Sequence, residues 1–262
     1  MRSRAGTWIL GAAALLAASE GRGEDGAGQG WDGRVFITLA GGYGLGSGGF
    51  SYRDSQVVFL EEASAEARVT GHGGPAVDVG CGVRLAGRFG VGVTLSRIRQ
   101  TQPATVSLSV PHPLLYNHPA SATATESIDH KEVALHYQAI YRVPMGKKLR
   151  LGAFAGPTHF DLHQPLVKDV GLDPSLSGLT YSLGTPTILT TDKTTSAWGF
   201  NAGVDVTVRF SRFFGIGALA RYSRASVHLE NALKTTRTGV VDKTVSVHMG
   251  GLQVEGGLRL QF

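Results

Sequence analysis

The stretch Trp198-Gly-Phe-Asn-Ala-Gly-Val-Asp-Val-Thr-Val-Arg-Phe210 decides the fold of this chain. Apolar residues alternate along it with polar or glycine residues, without a phase error. Successive side chains of a β-strand point to opposite faces, so this stretch predicts a strand with one apolar and one polar face. Its thirteen residues exceed the ~5 or 6 of a usual strand, and about 10 are enough to cross a bilayer as a tilted strand.

The same alternation recurs in seven further segments between residues 34 and 262. The clearest begin at Val77, Val133 and Leu252, and weaker ones span residues 34 to 45, 90 to 99, 149 to 160 and 214 to 229. The 37 glycines argue against a mostly helical protein, because a glycine inside a helix costs about 1 kcal/mol relative to alanine. No apolar run approaches the ~18 residues of a membrane helix. The composition therefore indicates an all-β protein.

The connections between these segments alternate strictly between short and long. Residues 86 to 89, 144 to 148 and 211 to 213 have the length of hairpin turns. The long connections are residues 46 to 74, 100 to 127, 161 to 195 and 230 to 243. This asymmetry is typical of membrane β-barrels, and it predicts an eight-stranded antiparallel up-and-down transmembrane β-barrel with short periplasmic turns and four long extracellular loops.

Two of the long connections leave the strand count open. Alternation persists from Phe50 to Leu60 and from Leu179 to Leu189, with a turn predicted at Gly184-Thr-Pro186. These segments are either hairpins that rise beyond the membrane or further membrane strands. In the second case the barrel has ten strands.

Aromatic residues mark the ends of the predicted apolar faces. Those near the short turns are Phe89, Tyr141, Phe210, Phe214 and Phe262, and those toward the long loops are Trp198, Phe200, Tyr43 and Phe160. Two such bands are expected where a barrel crosses the two membrane interfaces. The alternative is a soluble β-sandwich with aromatic residues at its strand ends.

The first residues have the pattern of an export signal. Arg2 and Arg4 precede an eleven-residue apolar stretch from Trp8 to Ala18, and small residues stand before a possible cleavage after Ser19. We therefore predict a signal peptide at residues 1–19, a flexible periplasmic tether at 20–33 and the barrel domain at 34–262. The single Cys81 excludes an internal disulfide and a multi-cysteine zinc site.

The last residues, Glu255-Gly-Gly-Leu-Arg-Leu-Gln-Phe262, resemble the terminal strand signal of bacterial outer-membrane barrels. With the features above, the chain resembles the small OmpA/OmpX-like superfamily over residues 34 to 262. The resemblance implies that Glu255, Gly257, Leu260 and Phe262 are read by the barrel-assembly machinery. It also implies export to the outer membrane of a Gram-negative bacterium, with periplasmic chaperones during biogenesis, outer-membrane lipid and lipopolysaccharide as surroundings, and a monomeric state.

The polar faces carry charges that we expect to point into the bore. Five arginines within a few residues of a short turn or the C-terminus predict a basic ring at the periplasmic end: Arg84, Arg142, Arg150, Arg209 and Arg259. Asp78, Asp205, Arg221 and Glu255 are expected near mid-membrane, with Arg221 and Glu255 as the most favoured ion pair, and Glu132 is expected to face inward as well. An eight-stranded barrel leaves room only for side chains, so these charges predict a closed bore. The alternative is a narrow channel that prefers anions, because the arginines outnumber the nearby acids.

An enzyme that modifies lipid A is a third, less favoured class. His159-Phe-Asp161 and Ser226-Val-His228-Leu-Glu230 come nearest to a catalytic grouping, but the His-x-Ser pair of lipid A deacylases is absent. We assign no catalytic residue, and expect neither a metal nor a cofactor. The formal net charge of +5 comes without a cluster of Lys and Arg, so nucleic-acid binding is not expected either.

Overall fold

The computed structural model describes residues 33–46, 49–231 and 243–262. Its strands are β1 (Val35–Gly46), β2 (Phe50–Val58), β3 (Glu61–Val69), β4 (Gly74–Ala86), β5 (Phe89–Val110), β6 (Ala120–Met145), β7 (Leu149–Gly171), β8 (Ser175–Ser177), β9 (Thr180–Ser182), β10 (Thr187–Arg209), β11 (Phe214–Asn231) and β12 (Lys243–Gln261). The described residues contain no helix long and apolar enough to cross a membrane. The predicted signal peptide and, apart from Gly33, the predicted tether lie outside these residues.

Eight strands close into a ring in the order β1, β4, β5, β6, β7, β10, β11 and β12, with every neighbouring pair antiparallel. The ring is sealed where β1 pairs with β12, from Phe36 opposite Gln261 to Gly46 opposite Gly251. A closed ring leaves no unpaired strand edge, which is the condition for crossing hydrocarbon. The predicted eight-stranded antiparallel barrel is confirmed.

The ten-strand alternative is wrong for the ring, although two more strands join the same sheet. Strand β3 pairs with the far half of β5, between Ala104 and Ser109, whereas β4 pairs with β5 only as far as Ile98. The β2–β3 hairpin therefore extends the wall above the ring. The short β8–β9 hairpin turns at Gly178, which has a positive φ of 59°, and the predicted turn at Gly184 instead connects β9 to β10.

The long connections are mostly strand rather than loop. Strands β5, β6, β7 and β10 contain 22, 26, 23 and 23 residues, about twice what a bilayer crossing requires. The excess lies at the end opposite the short turns, one of which is formed by Gly87 with φ 54°. Much of the sequence predicted as loops at residues 100 to 127 and 161 to 195 therefore forms tall hairpins.

Along β5 the apolar residues change sides. Its odd-numbered residues from Phe89 to Leu95 are apolar and exposed on the outside, and those from Arg97 to Ser109 are mostly polar. Its even-numbered residues face inward and are polar at Gln100 and Gln102, then apolar from Ala104 to Leu108. A protein surrounded by lipid below and water above requires this inversion. The outer boundary of the membrane therefore lies between Leu95 and Arg97.

Above the boundary the hairpins enclose an apolar core of their own, which we call the cap. It comprises Phe50, Tyr52, Ala67, Val69, Ala104, Val106, Leu108, Ile128, Ala134, Phe160, Leu162, Leu166, Val167, Leu183, Ala225, Val247 and Met249. The Tyr52 hydroxyl donates to the carbonyl oxygen of Val167 at 2.9 Å, which ties β2 to β7 across the cap. Burial raises the pKa of this hydroxyl above its ordinary value.

Most of the predicted aromatic bands face lipid. Trp198 and Phe200 are exposed at the outer band, and Phe89 and Phe210 at the inner one. Phe160 is the exception, because it is fully buried and belongs to the cap. Outward-facing residues on β7 have odd numbers, so Phe160 points inward, and the prediction that placed it on the lipid face was wrong.

Candidate functional site

The bore is filled by layers of side chains, and the lowest contains the five arginines predicted as a ring. Arg142 lies over the ring of Phe36, with its guanidinium carbon 4.4 Å from the ring centroid. Arg150 donates to the carbonyl oxygens of Gly146 and Leu149, both at 3.0 Å. Arg84 and Arg209 are half-buried at the same end of the barrel. Much of this positive charge is therefore held against the protein's own groups.

Arg259 belongs to the same end but pairs with an acid from the next level. Its Nη2 lies 2.7 Å from Oδ2 of Asp205, and its Nε donates to the same oxygen at 3.1 Å. Thr207 donates to the other oxygen of Asp205 at 2.8 Å. Asp205 is thus held from β10 and β12, and the predicted ring and mid-membrane charges meet here.

Arg221, only 1% exposed, crosses the bore at mid-membrane. Its Nη1 lies 2.7 Å from Oδ2 of Asp78 on β4, and its Nη2 donates to Oδ1 of Asp78 and to Ser96 Oγ, each at 3.1 Å. Its Nε donates to Gln253 Oε1 at 2.7 Å. One guanidinium therefore links β11 to β4, β5 and β12 and occupies the centre of the bore.

The favoured partner of Arg221 differs from the sequence prediction. Glu255 is buried nearby, with Oε1 3.8 Å from Arg221 Nη2. The predicted ion pair is therefore longer than the contact between Arg221 and Asp78. The pairing register explains this, because Gln253 stands directly opposite Arg221 and Glu255 is displaced by two residues. An arginine is also long enough to reach the opposite wall of so narrow a barrel.

An apolar layer of Phe36, Ile140 and Phe154 accompanies the charges. Glycines on the inward face make room for it: a Cβ at Gly82 would lie 2.5 Å from the ring of Phe36, and one at Gly203 would lie 2.5 Å from Phe154. The space left between the layers is a cavity of about 40 Å³, bordered by Arg142, Arg221 and Arg259 among others. A cavity of this size holds a few water molecules at most.

A further polar layer lies between Arg221 and the cap. His136, fully buried, hydrogen-bonds through Nδ1 with Thr158 Oγ1 at 2.8 Å. Glu132 is also buried, and its Oε2 accepts from the backbone N–H of Gly250 at 3.0 Å. His130 Nε2 lies 3.7 Å from the same oxygen. Side chains therefore occupy the bore from the basic ring up to the cap.

The strand pairing of the wall is interrupted where β6 meets β7. Pairing runs continuously to His136 opposite Thr158 and resumes at Ala139 opposite Ala155, so the two positions between them are skipped. Pro157 lies in this interval and has no N–H to donate. The Asn201 amide donates to the Gly156 carbonyl at 3.0 Å and to Thr158 Oγ1 at 2.9 Å, which closes the gap from inside.

The suggested catalytic groupings do not assemble. Ser226 Oγ hydrogen-bonds with His248 Nδ1 at 2.8 Å across β11 and β12, rather than with His228. Among the side chains that the structure describes, no carboxylate contacts His248. His159 Nδ1 lies 4.0 Å from Asp161 Oδ2 on the outer surface. The described residues also contain no group of three or more His, Cys, Asp or Glu able to hold a metal ion.

The four residues of the terminal signal lie on β12 or just after it. Glu255 and Gly257 face the bore, and Leu260 faces outward. Phe262 is exposed, and its backbone N–H and carbonyl oxygen both bond to Val35 of β1. The last residues therefore form the seam that closes the ring.

No protein-family model matches the chain, and no curated protein sequence matches it significantly. Solved structures do. Neisserial surface protein A aligns at 13% identity over 90% of this chain and 100% of its own, with a TM-score of 0.43. The outer membrane protein OprG of Pseudomonas aeruginosa aligns at 13% identity over 89% of this chain and 98% of its own, with a TM-score of 0.45. Ail, the attachment invasion locus protein of Yersinia pestis, aligns at 9% identity over 87% of this chain and 99% of its own, with a TM-score of 0.35. The chain is an eight-stranded antiparallel β-barrel with an apolar outer belt and a polar interior, similar to small outer-membrane proteins of Gram-negative bacteria.

Proposed function

We propose that the chain is an integral, non-enzymatic protein of the outer membrane whose closed barrel holds a structured binding surface outside the cell. The observation that carries this proposal is the filled bore. Arg221 and its partners block it at mid-membrane, and the cap covers it above. A barrel closed at two levels serves to anchor the hairpins above it in the membrane.

The four tall strands and the β2–β3 hairpin provide that surface. They share one apolar core, so the hairpins support one another. Contacts between hairpin tips add to this: Glu61 Oε1 accepts from the Asn117 N–H at 2.8 Å, and His112 Nε2 hydrogen-bonds with the Leu179 carbonyl oxygen at 3.1 Å. Rigid loops on a stable scaffold are suited to binding.

Planar-bilayer recording of refolded protein tests the closed bore. We expect no steady conductance from the parent protein. Steady, anion-selective openings would favour the channel alternative instead, and their loss in Arg84→Ala or Arg209→Ala would assign selectivity to the basic ring. The ion pair of Arg259 and the ring contact of Arg142 favour the closed form.

The route to the membrane is part of the same proposal. We expect Glu255, Gly257, Leu260 and Phe262 to be the positions that the barrel-assembly machinery reads, with Phe262 the most important. Periplasmic chaperones would deliver the chain, and a monomer would be the final state.

A further inference from the structure

The outer wall formed by β5 and β6 has a cluster of positive charge just above the lipid belt. Arg97, Arg99 and Lys131 point outward there, with Arg97 opposite Val133 and two residues beyond the lipid-facing Leu95. Arg99 and Lys131 are opposite each other in the register, an arrangement of like charges that destabilises a sheet. A cationic cluster in such positions is suited to an anionic partner.

One acid neutralises only part of this cluster. Asp129 Oδ2 lies 2.6 Å from Arg99 Nη2, and this contact lowers the pKa of Asp129. Arg97 and Lys131 form no hydrogen bond or ion pair with any residue that the structure describes. The neighbouring β7–β10 wall carries the acids Asp161 and Asp192 outside, so the cationic cluster borders an acidic sector, and Arg224 on β11 is a separate outward cation.

Below the cations, the same wall has an apolar groove of about 540 Å³. Small side chains form its floor, among them Ala139 and Ala155, and it lies beside the gap at Pro157. Val91 and Val93 of β5 also line it. The groove opens to the hydrocarbon region, where an acyl chain is the available occupant.

The spacing between groove and cations fits one lipid molecule. Val91 in the groove and Arg97 in the cluster are six residues apart on β5, about 20 Å along a strand and about 14 Å in depth at a tilt of ~45°. Half of the ~30 Å hydrocarbon core is about the same length, so a chain in the groove places its headgroup beside Arg97. The lipid must carry an anionic headgroup such as a phosphate, because guanidinium and ammonium groups form their strongest hydrogen bonds with phosphate and carboxylate.

We propose that this wall is a binding site for lipid A, the phosphorylated and multiply acylated glucosamine lipid of the outer leaflet. Arg97 and Lys131 hold a phosphate, and the groove at Ala139 and Ala155 takes an acyl chain. The inference deepens the proposed outer-membrane function and rests on that location, but it does not require the bore to be closed.

Lipid A binding to the refolded protein in detergent micelles, measured by native mass spectrometry, tests the site. We expect Arg97→Gln combined with Lys131→Gln to raise the dissociation constant about tenfold. Arg224→Gln removes an outward cation of β11 and serves as the matched control, with no change expected. Dephosphorylated lipid A should bind the parent and the double variant equally weakly.

The groove is tested separately with Ala139→Phe, which fills it, against Ala218→Phe, which enlarges a lipid-facing residue of β11 outside it. Only the first should weaken lipid A binding, and a heat-dependent gel shift verifies that both variants fold. Equal lipid A affinity for the parent and all variants would overturn the proposal. Phosphatidylglycerol bound as tightly as lipid A, with the same dependence on Arg97 and Lys131, would overturn the assignment to lipid A. A conducting bore would refute the proposed closure and leave this site untouched.

Discussion

Replacing Arg221 by Met should be among the most destabilising single substitutions in the barrel. The side chain is 1% exposed and bonds to Asp78, Ser96 and Gln253. Methionine fills much of the volume but leaves Asp78 and Glu255 as two buried carboxylates near mid-membrane without this cation. Breaking a buried ion pair by removing one partner costs about 3–5 kcal/mol, and we expect a loss in the free energy of unfolding of that size.

The assay is reversible unfolding in urea of protein inserted in phosphatidylcholine vesicles, followed by tryptophan fluorescence. Arg224→Met is the matched control, because it removes an exposed arginine from the same strand and should change the free energy by less than about 0.5 kcal/mol. A cycle with Asp78→Asn separates the pair from the rest of the network. The combined variant should lose less than the sum of the single losses, with a coupling of about 0.5–3 kcal/mol. Arg221→Met with parental stability, or strictly additive losses, would refute the central role of this ion pair.

Three other substitutions test separate parts of the account. Asn201→Ala should destabilise the barrel by about 1–3 kcal/mol in the same unfolding assay, because the Gly156 carbonyl at the β6–β7 gap loses its donor; an unchanged urea midpoint would contradict this role. Tyr52→Phe should lose about 1 kcal/mol, and in ultraviolet pH titrations the parent and the variant should ionise the same number of tyrosines near the ordinary pKa of ~10; one more tyrosine ionised there in the parent would show that the cap is open. Phe262→Ala should reduce the amount of barrel assembled in cells while the purified chain still refolds in vesicles; normal assembly in cells would remove Phe262 from the signal.

The ring could be predicted because its signal is local. Alternation along the stretch from Trp198 to Phe210 fixes which side chains share a face, and the short turns fix which strands are neighbours. The same parity placed Asp78, Arg221 and Glu255 inside without any tertiary information. The cap was missed because alternation alone does not show which face is inside once the surroundings change from lipid to water. Phe160, interpreted as lipid-facing, is buried in the cap for this reason.

The contacts inside the bore were less accessible to sequence reasoning. The partner of Arg221 depends on which walls face each other across the ring, and Asp78 is 143 residues away in sequence. Asn201 lies on the predicted inward face, but its hydrogen bond to the Gly156 carbonyl depends on the interrupted pairing at Pro157. Proline inside a predicted membrane strand was the available signal, because it must leave a carbonyl of the neighbouring strand without its usual donor, and Asn201 Nδ2 lies 3.4 Å from the carbonyl oxygen of Tyr137 on β6.

The account depends most on which face of the strands is in contact with lipid, and the chain's one cysteine reports on it directly. Cys81 is exposed on the outer wall of β4, between Val79 and Val83 on the lipid-facing side. With the protein inserted in vesicles, a charged, membrane-impermeant maleimide should not label Cys81 until the protein is unfolded. The same reagent should rapidly label Arg97→Cys in a Cys81→Ser background, because that position lies above the boundary. Labelling of native Cys81 as fast as of Arg97→Cys would contradict the placement of the apolar face in lipid.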